Sequence, residues 1–287
     1  MRRIGRILLL LGSLGLSQAA FENLTAGPAA DALGGAYTAL ASTPDGLYLN
    51  PAGLVHLAPQ AYAAYLLPFG GLGVGLNNLQ ASVVFPVRDY TLALSLKRFG
   101  ASLNAEGYDT AYTGTYAEAA WTLSVARALS ERIALGLNLH YLQFQEPRFG
   151  NAGALGLDLG LQVSLYRRWR FGLAALNLNR PAFQTETEAE KLPSTLAVGV
   201  AYRPFGSVVT LLEVKKDQFH PATVALGQQV GFWQDRLVLR GGVEHQGENT
   251  FPSLGFGLRL PHLTVDYLAR FTPGLPMTHG FGLSYRR

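Results

Sequence analysis

The feature that most constrains this 287-residue chain is a two-residue rhythm that recurs in many separate stretches. Leu155, Leu157, Leu159, Leu161, Val163 and Leu165 alternate with Gly156, Asp158, Gly160, Gln162 and Ser164. Ile133, Leu135, Leu137, Leu139 and Tyr141 alternate in the same way with Ala134, Gly136, Asn138 and His140. Helices repeat every 3.6 residues and cannot place such sets on one face, whereas strands do so by construction. In a soluble sandwich the outward set would be charged and the inward set bulky. Here the bulky set is Leu, Val and aromatic throughout, and the opposite set mixes Gly, Ala, Ser and Thr with scattered charge. That division suits a closed sheet whose apolar face meets lipid and whose small residues line the interior.

The rhythm predicts about 14 strands, near 60–69, 79–87, 90–99, 116–127, 132–145, 153–165, 170–177, 194–203, 207–216, 221–231, 235–245, 251–260, 262–271 and 277–285. The connections alternate long and short. The long ones lie around Gly70–Asn78, Gly100–Thr115, Glu146–Ala152, Leu178–Pro193, Asp217–His220, Gln246–Thr250 and Thr272–Pro276. The short ones lie around Arg88-Asp89, Ser130-Glu131, Arg167–Trp169, Pro204–Gly206, Phe232–Gln234 and Pro261. An even strand count with long loops at one end and short turns at the other is the pattern of an outer-membrane barrel. Aromatic residues gather beside the short turns (Phe85, Tyr90, Tyr166, Trp169, Tyr202, Phe205, Phe232, Trp233 and Tyr285), as an interfacial girdle would.

Composition agrees. Charged residues make up 15% of the chain, against roughly 25% in soluble domains. There are 33 glycines and no cysteine, so disulfides and thiolate metal sites are excluded. Residues 1–19 read as a secretory signal peptide: Arg2, Arg3 and Arg6, an apolar run from Ile7 to Leu16, then Ser17-Gln18-Ala19 before the expected cleavage. Setting those three arginines aside lowers the formal net charge from +4 to +1, and no dense basic stripe remains to suggest a nucleic-acid partner.

Between leader and first strand lies ALGGAYTALASTPDGLYLNPAGL, Ala32 to Leu54, too interrupted for a helix or strand and too apolar for a linker. A 14-stranded barrel encloses more space than its own side chains fill. The segment is therefore expected to fold into the lumen as a hatch. The division expected is 1–19 signal peptide, 20–58 hatch and 59–287 barrel.

The run GPAADALGGAYTALASTPDGLYLNPAGL resembles the N-terminal signature of FadL-type outer-membrane transporters of hydrophobic compounds and of the related Por-type barrel proteins associated with type IX secretion. The residues that carry the resemblance are Leu33-Gly34-Gly35-Ala36, Asp45 and Asn50-Pro51-Ala52-Gly53-Leu54. It implies a 14-stranded barrel in the bacterial outer membrane and a lumenal hatch. It also implies passive uptake of hydrophobic molecules such as long-chain fatty acids. The Por-type branch implies an alternative, a barrel that transports nothing and docks a secretion-system or envelope protein. The expected partners are thus outer-membrane lipid and either a hydrophobic small molecule or such a protein, with no cofactor or metal.

No catalytic motif appears: G-x-S-x-G and H-E-x-x-H are both missing, and the six histidines are scattered. Enzyme activity is not expected, although His140 falls in the lumen phase. Glu118, Asp158, Arg203, Glu213, Arg236, Arg240, Glu244, Arg259, Asp266 and Arg270 fall in the lumen phase as well. Mutual pairing would hold them. Arg236, Arg240, Arg259 and Arg270, from three consecutive strands, are the candidates for binding a ligand carboxylate.

Overall fold

The computed structural model describes residues 26–71, 75–103, 114–146, 150–184 and 189–287. The leader call on residues 1–19 lies outside them. Sixteen strands form: β1 (Gln60–Leu67), β2 (Asn77–Val87), β3 (Tyr90–Leu103), β4 (Gly114–Ala128), β5 (Ile133–Glu146), β6 (Gly150–Leu165), β7 (Trp169–Leu176), β8 (Ala182–Gln184), β9 (Ala189–Lys191), β10 (Thr195–Tyr202), β11 (Val208–Lys216), β12 (Thr223–Phe232), β13 (Leu237–Gln246), β14 (Asn249–Arg259), β15 (Leu263–Arg270) and β16 (Thr278–Arg286). Fourteen of them close an antiparallel barrel in which β1 pairs with both β2 and β16. β8 and β9 form a separate hairpin inside the connection between β7 and β10.

The sequence rhythm sets the two faces. Leu94, Leu123, Leu139, Leu155, Leu196, Val198, Leu226 and Leu254 are each 43–69% exposed, and they point outward around the whole circumference. A continuous apolar belt of this extent has no place in water, and no helix among the described residues could span a bilayer instead. The protein is a transmembrane β-barrel. β1, whose phase the sequence leaves ambiguous, turns Gln60, Tyr62, Ala64 and Leu66 inward.

At the short-turn end Tyr166, Phe205 and Trp233 are 90%, 71% and 74% exposed, and Trp169 stacks on Tyr202 at 4.2 Å. The girdle is not confined to that end. Tyr65, Trp121, Tyr141, Phe271 and Phe281 stand exposed toward the loop end. Four of those rings sit inside strands and Phe271 directly follows β15, where the outward phase also serves as lipid contact, so sequence position beside a turn does not single them out.

Two connections differ from expectation. The loop expected around Gln246–Thr250 is only Gly247-Glu248, because the β13–β14 ladder continues through His245↔Thr250 to Gln246↔Asn249. The connection expected as an open loop over 178–193 contains the β8–β9 hairpin.

Inside the barrel lie a four-residue helix, α1 (Pro28–Asp31), and two 3-10 turns, Pro44–Tyr48 and Pro51–His56. Ala29, Ala30, Leu33, Tyr37, Ala39, Leu47 and Leu54 are no more than 2% exposed. This leading segment packs on three sides of the wall. Leu33 and Tyr37 join Ala201, Leu211 and Ala225; Ala32 joins Tyr62, Leu66 and Leu268; Leu47 and Leu54 join Val84, Ala93 and Ala126.

Candidate functional site

The signature residues are the ones that fold the leading segment and seat it. The Asp45 carboxylate accepts from the N–H groups of Ala29 and Ala30 at 2.9 and 3.1 Å, and from the Thr43 hydroxyl. One side chain thus ties α1 to the first 3-10 turn. Asn50 caps the second turn by accepting from Ala52 N–H at 3.1 Å. Its amide donates to the carbonyls of Thr38 and, on the wall, Leu161 at 2.9 and 3.1 Å. Gly34 takes a left-handed φ of 66° and its N–H donates to Ser253 Oγ on β14 at 3.1 Å. Gly35, with φ 75°, is beside Lys215 of β11, Pro51 rests against β5 and β6, and Gly53 abuts Ala41.

Three of the wall contacts share one device that the sequence does not advertise. Gly136 and Gly160 face each other across β5 and β6, Gly172 and Gly199 across β7 and β10, and Gly227 and Gly242 across β12 and β13. Each pair lies under a stretch of leading-segment backbone: Asn50–Ala52, Thr38-Ala39 and Leu33-Gly34 respectively. A Cβ on Gly136 would fall inside the Pro51–Ala52 peptide, and one on Gly242 inside Leu33-Gly34. The lumenal glycines expected merely to leave room are therefore seats for the segment. The signal was present as aligned glycines, but only the strand register pairs them.

Charged lumen residues mostly pair. Arg240 Nη1 donates to Asp266 Oδ1 at 2.7 Å with both side chains at most 3% exposed. Arg270 donates to Glu244 at 2.7 Å, and Lys215 lies 3.6 Å from the same carboxylate. Glu213 accepts from Thr38 N–H at 2.7 Å, another tie to the leading segment. Asp158 faces His140 Nε2 at 2.5 Å and accepts from Asn138 Nδ2 at 3.0 Å; Asn138 also donates to Leu47 O. His140 Nδ1 meets Thr122 Oγ1 at 2.7 Å, so both ring nitrogens are engaged in this network.

Of the four carboxylate-binding candidates, Arg240 and Arg270 are thus in ion pairs with acidic neighbours. Arg259 is half-buried at the end of β14, and Arg236 is exposed in the turn before β13. Arg203, placed in the lumen phase by sequence, is exposed just beyond β10. The inward phase continues to these positions while the wall itself ends.

Toward the loop end the lumen changes character. β3 to β6 are 14 to 16 residues long, and most other barrel strands are 8 to 11, so one side of the wall stands taller. Its inner face carries Phe99, Tyr116, Ala120, Leu142 and Phe144. The β8–β9 hairpin brings Phe183, fully buried, to 5.9 Å from Phe144, and Tyr116 packs edge-on to Phe144 at 5.4 Å. Leu142 and Phe144 interrupt the small-residue phase of β5, which is the sequence signal that could have located this apolar patch.

Asp45 makes seating sensitive to pH. Burial, the largest influence, raises its pKa from 3.8 to about 6; the Thr43 hydroxyl, the Ala30 N–H and Arg240 pull it down, and Asp266 pushes it up. A carboxyl whose folded pKa is raised binds protons in the docked state before the undocked one does. Its contribution is therefore full below the unfolded value of 3.8 and is lost as pH rises through about 6. Amide exchange at residues 29–31, corrected for intrinsic rates, is expected to be slower at about pH 4 than at about pH 7, and Asp45→Asn to flatten that difference.

A closed 14-stranded transmembrane barrel is the class that the fold defines. Solved structures share that barrel. The CymD monoaromatic hydrocarbon channel aligns with a TM-score of 0.66 at 13% identity, over 93% of this chain and 99% of that one. A Pseudomonas aeruginosa FadL homologue aligns at 0.65 and 12%, over 90% and 97%. The Pseudomonas putida toluene transporter TodX aligns at 0.64 and 12%, over 94% and 98%. The barrel has the fold of the FadL-type channels. No family model matches the sequence, and no curated protein does.

Proposed function

We propose that this protein is a passive channel in the bacterial outer membrane for hydrophobic small molecules, long-chain-fatty-acid-like compounds among them, and that residues 26–57 act as its hatch. The observation that carries the proposal is the division of the lumen. An apolar, aromatic cluster lies toward the loop end on the taller β3–β6 side, and a segment in backbone contact with wall glycines packs against the lumenal wall elsewhere. A solute entering from outside has to part the buried cluster of Phe99, Tyr116, Phe144 and Phe183 and then exchanges water for those rings, which favours apolar over polar molecules. It then moves down its gradient when the hatch shifts. The printed names of the TodX and CymD structures, a toluene transporter and a monoaromatic hydrocarbon channel, support this reading.

Liposomes carrying the full chain should admit labelled oleate and a neutral aromatic hydrocarbon faster than protein-free liposomes. Equal rates would sink the proposal. Replacing Phe144 and Phe183 by alanine should raise the half-saturating solute concentration roughly fivefold, the equivalent of about 1 kcal/mol of lost aromatic contact.

A further inference from the structure

A second lumenal feature lies at the opposite end, under the hatch. A cleft of about 150 Å³ opens at the short-turn mouth, lined by Arg167, Arg168, Arg170 and Arg203 above a floor of Leu40, Ala201 and Val209. We propose that this cleft is an anion subsite that takes the carboxylate or phosphate head of an amphiphile, with the first carbons of its chain against the apolar floor. The proposal rests on the channel reading and adds to it a site for a charged head group.

The register builds the cluster. Ala201 pairs with Arg170, and Arg203 N–H donates to Arg168 O at 2.8 Å, so residues 168, 170 and 203 share the lumenal phase of β7 and β10. Among the described residues, none of the four arginines has a carboxylate within ion-pair distance. This contrasts with Arg240 and Arg270 deeper in the lumen. Gathered like charges repel one another, and an anion among them removes that repulsion. Arg170 Nη1 donates to the Leu40 carbonyl of the hatch at 3.2 Å. A charged oxygen makes a stronger bond to a guanidinium than a neutral carbonyl does, so an arriving anion competes for this tie. The stacked Trp169 and Tyr202 beside the cleft mark the interfacial depth, where a head group belongs.

The floor separates an amphiphile from a bare ion. Leu40, Ala201 and Val209 offer nothing to inorganic phosphate but give an alkyl chain somewhere to lie.

The test uses the full chain in neutral detergent, dialysed to equilibrium against labelled decanoate, decanol or inorganic phosphate, with protein-free detergent subtracted. The wild type should bind decanoate at least tenfold more tightly than the Arg170→Gln/Arg203→Gln protein, and decanol equally well in both. Arg170→Lys/Arg203→Lys, which keeps the charge, should stay within about threefold of wild type. Phosphate alone binding as tightly as decanoate would overturn the amphiphile assignment in favour of a free oxyanion. Equal decanoate affinity in wild type and the glutamine pair would overturn the site altogether. Entry of a neutral aromatic hydrocarbon into liposomes, measured on the same three proteins, reports on the channel reading separately. It should stay above the protein-free rate in all three proteins whatever decanoate does, and entry no faster than in protein-free liposomes for the wild type would count against the channel reading alone.

Discussion

A protein carrying Gly136→Leu and Gly160→Leu is expected to fold as a barrel but to lose its closure. In planar bilayers or sugar-loaded liposomes, entry of small hydrophilic solutes should rise at least ~10-fold, since a 14-stranded interior is too wide for its own side chains to fill. The reason is local. These two glycines are a cross-strand pair; the Pro51–Ala52 peptide sits where a side chain on Gly136 would be, and the Asn50 amide oxygen, the Pro51 ring and the Ala52 nitrogen sit where one on Gly160 would be. Leucine there cannot be accommodated by rotamer changes, because the obstruction is peptide backbone on one side and a hydrogen-bonded ladder on the other. Overpacking of this kind costs about 1–3 kcal/mol per site or more. The cheapest relief is for the segment to leave, since the barrel ladder has far more to lose. Leucine at Gly241, which lies on the lipid-facing phase near Leu254, is the control and should leave entry low. Low entry in a properly folded Gly136→Leu/Gly160→Leu protein would show that these seats do not hold the closure.

The second large effect concerns stability. Asp266→Ala leaves the Arg240 guanidinium, almost entirely buried, without its carboxylate. Breaking such a pair by removing one partner costs about 3–5 kcal/mol, whereas replacing both by apolar residues is often neutral. Unfolding in urea from lipid vesicles should show that loss for Asp266→Ala and recovery of most of it in Arg240→Met/Asp266→Ala. A loss below about 1 kcal/mol would mean that water or another group already solvates Arg240. Because Arg240 also lies within reach of the charge on Asp45, the single variant should weaken seating of the leading segment together with the wall.

The barrel was legible because its signal is local and repeated. Each barrel strand declares its phase in its own residues, and lipid on one side repeats the pattern from one barrel strand to the next after β1. The strand count needed only the alternation and the turns, and its errors are at ends. β13 and β14 run on past the point where the alternation fades, because ladder hydrogen bonds continue through polar residues such as His245 and Thr250. The β8–β9 hairpin was missed for a related reason. With three residues per strand it is too short for a period to register, and it is held by burial of Phe183 against Phe144 instead.

The site was legible only in part. Asn50 and Asp45 could be recognised as turn-forming residues, and they do cap and tie the segment's turns. Their side chains spend themselves on the segment's own backbone and on wall carbonyls. The four nominated arginines came from three consecutive strands, which suggested a common surface. Two of them meet acidic partners two strands away, over β14, and the cluster that lacks such partners lies at the β7–β10 turn ends, separated in sequence by the hairpin connection.

From the sequence alone came what a strand can state about itself: which residues face lipid, how many strands the barrel has, which end bears the turns, and that an apolar segment precedes them. The tertiary structure alone decided which lumen residues meet. Pairing of Gly136 with Gly160, of Arg240 with Asp266, and of Arg170 with the Leu40 carbonyl depends on strand register, barrel closure and the path of the enclosed chain. Those are non-local quantities: a one-residue slip would exchange every inward side chain for an outward one, and no single strand records its partner's register.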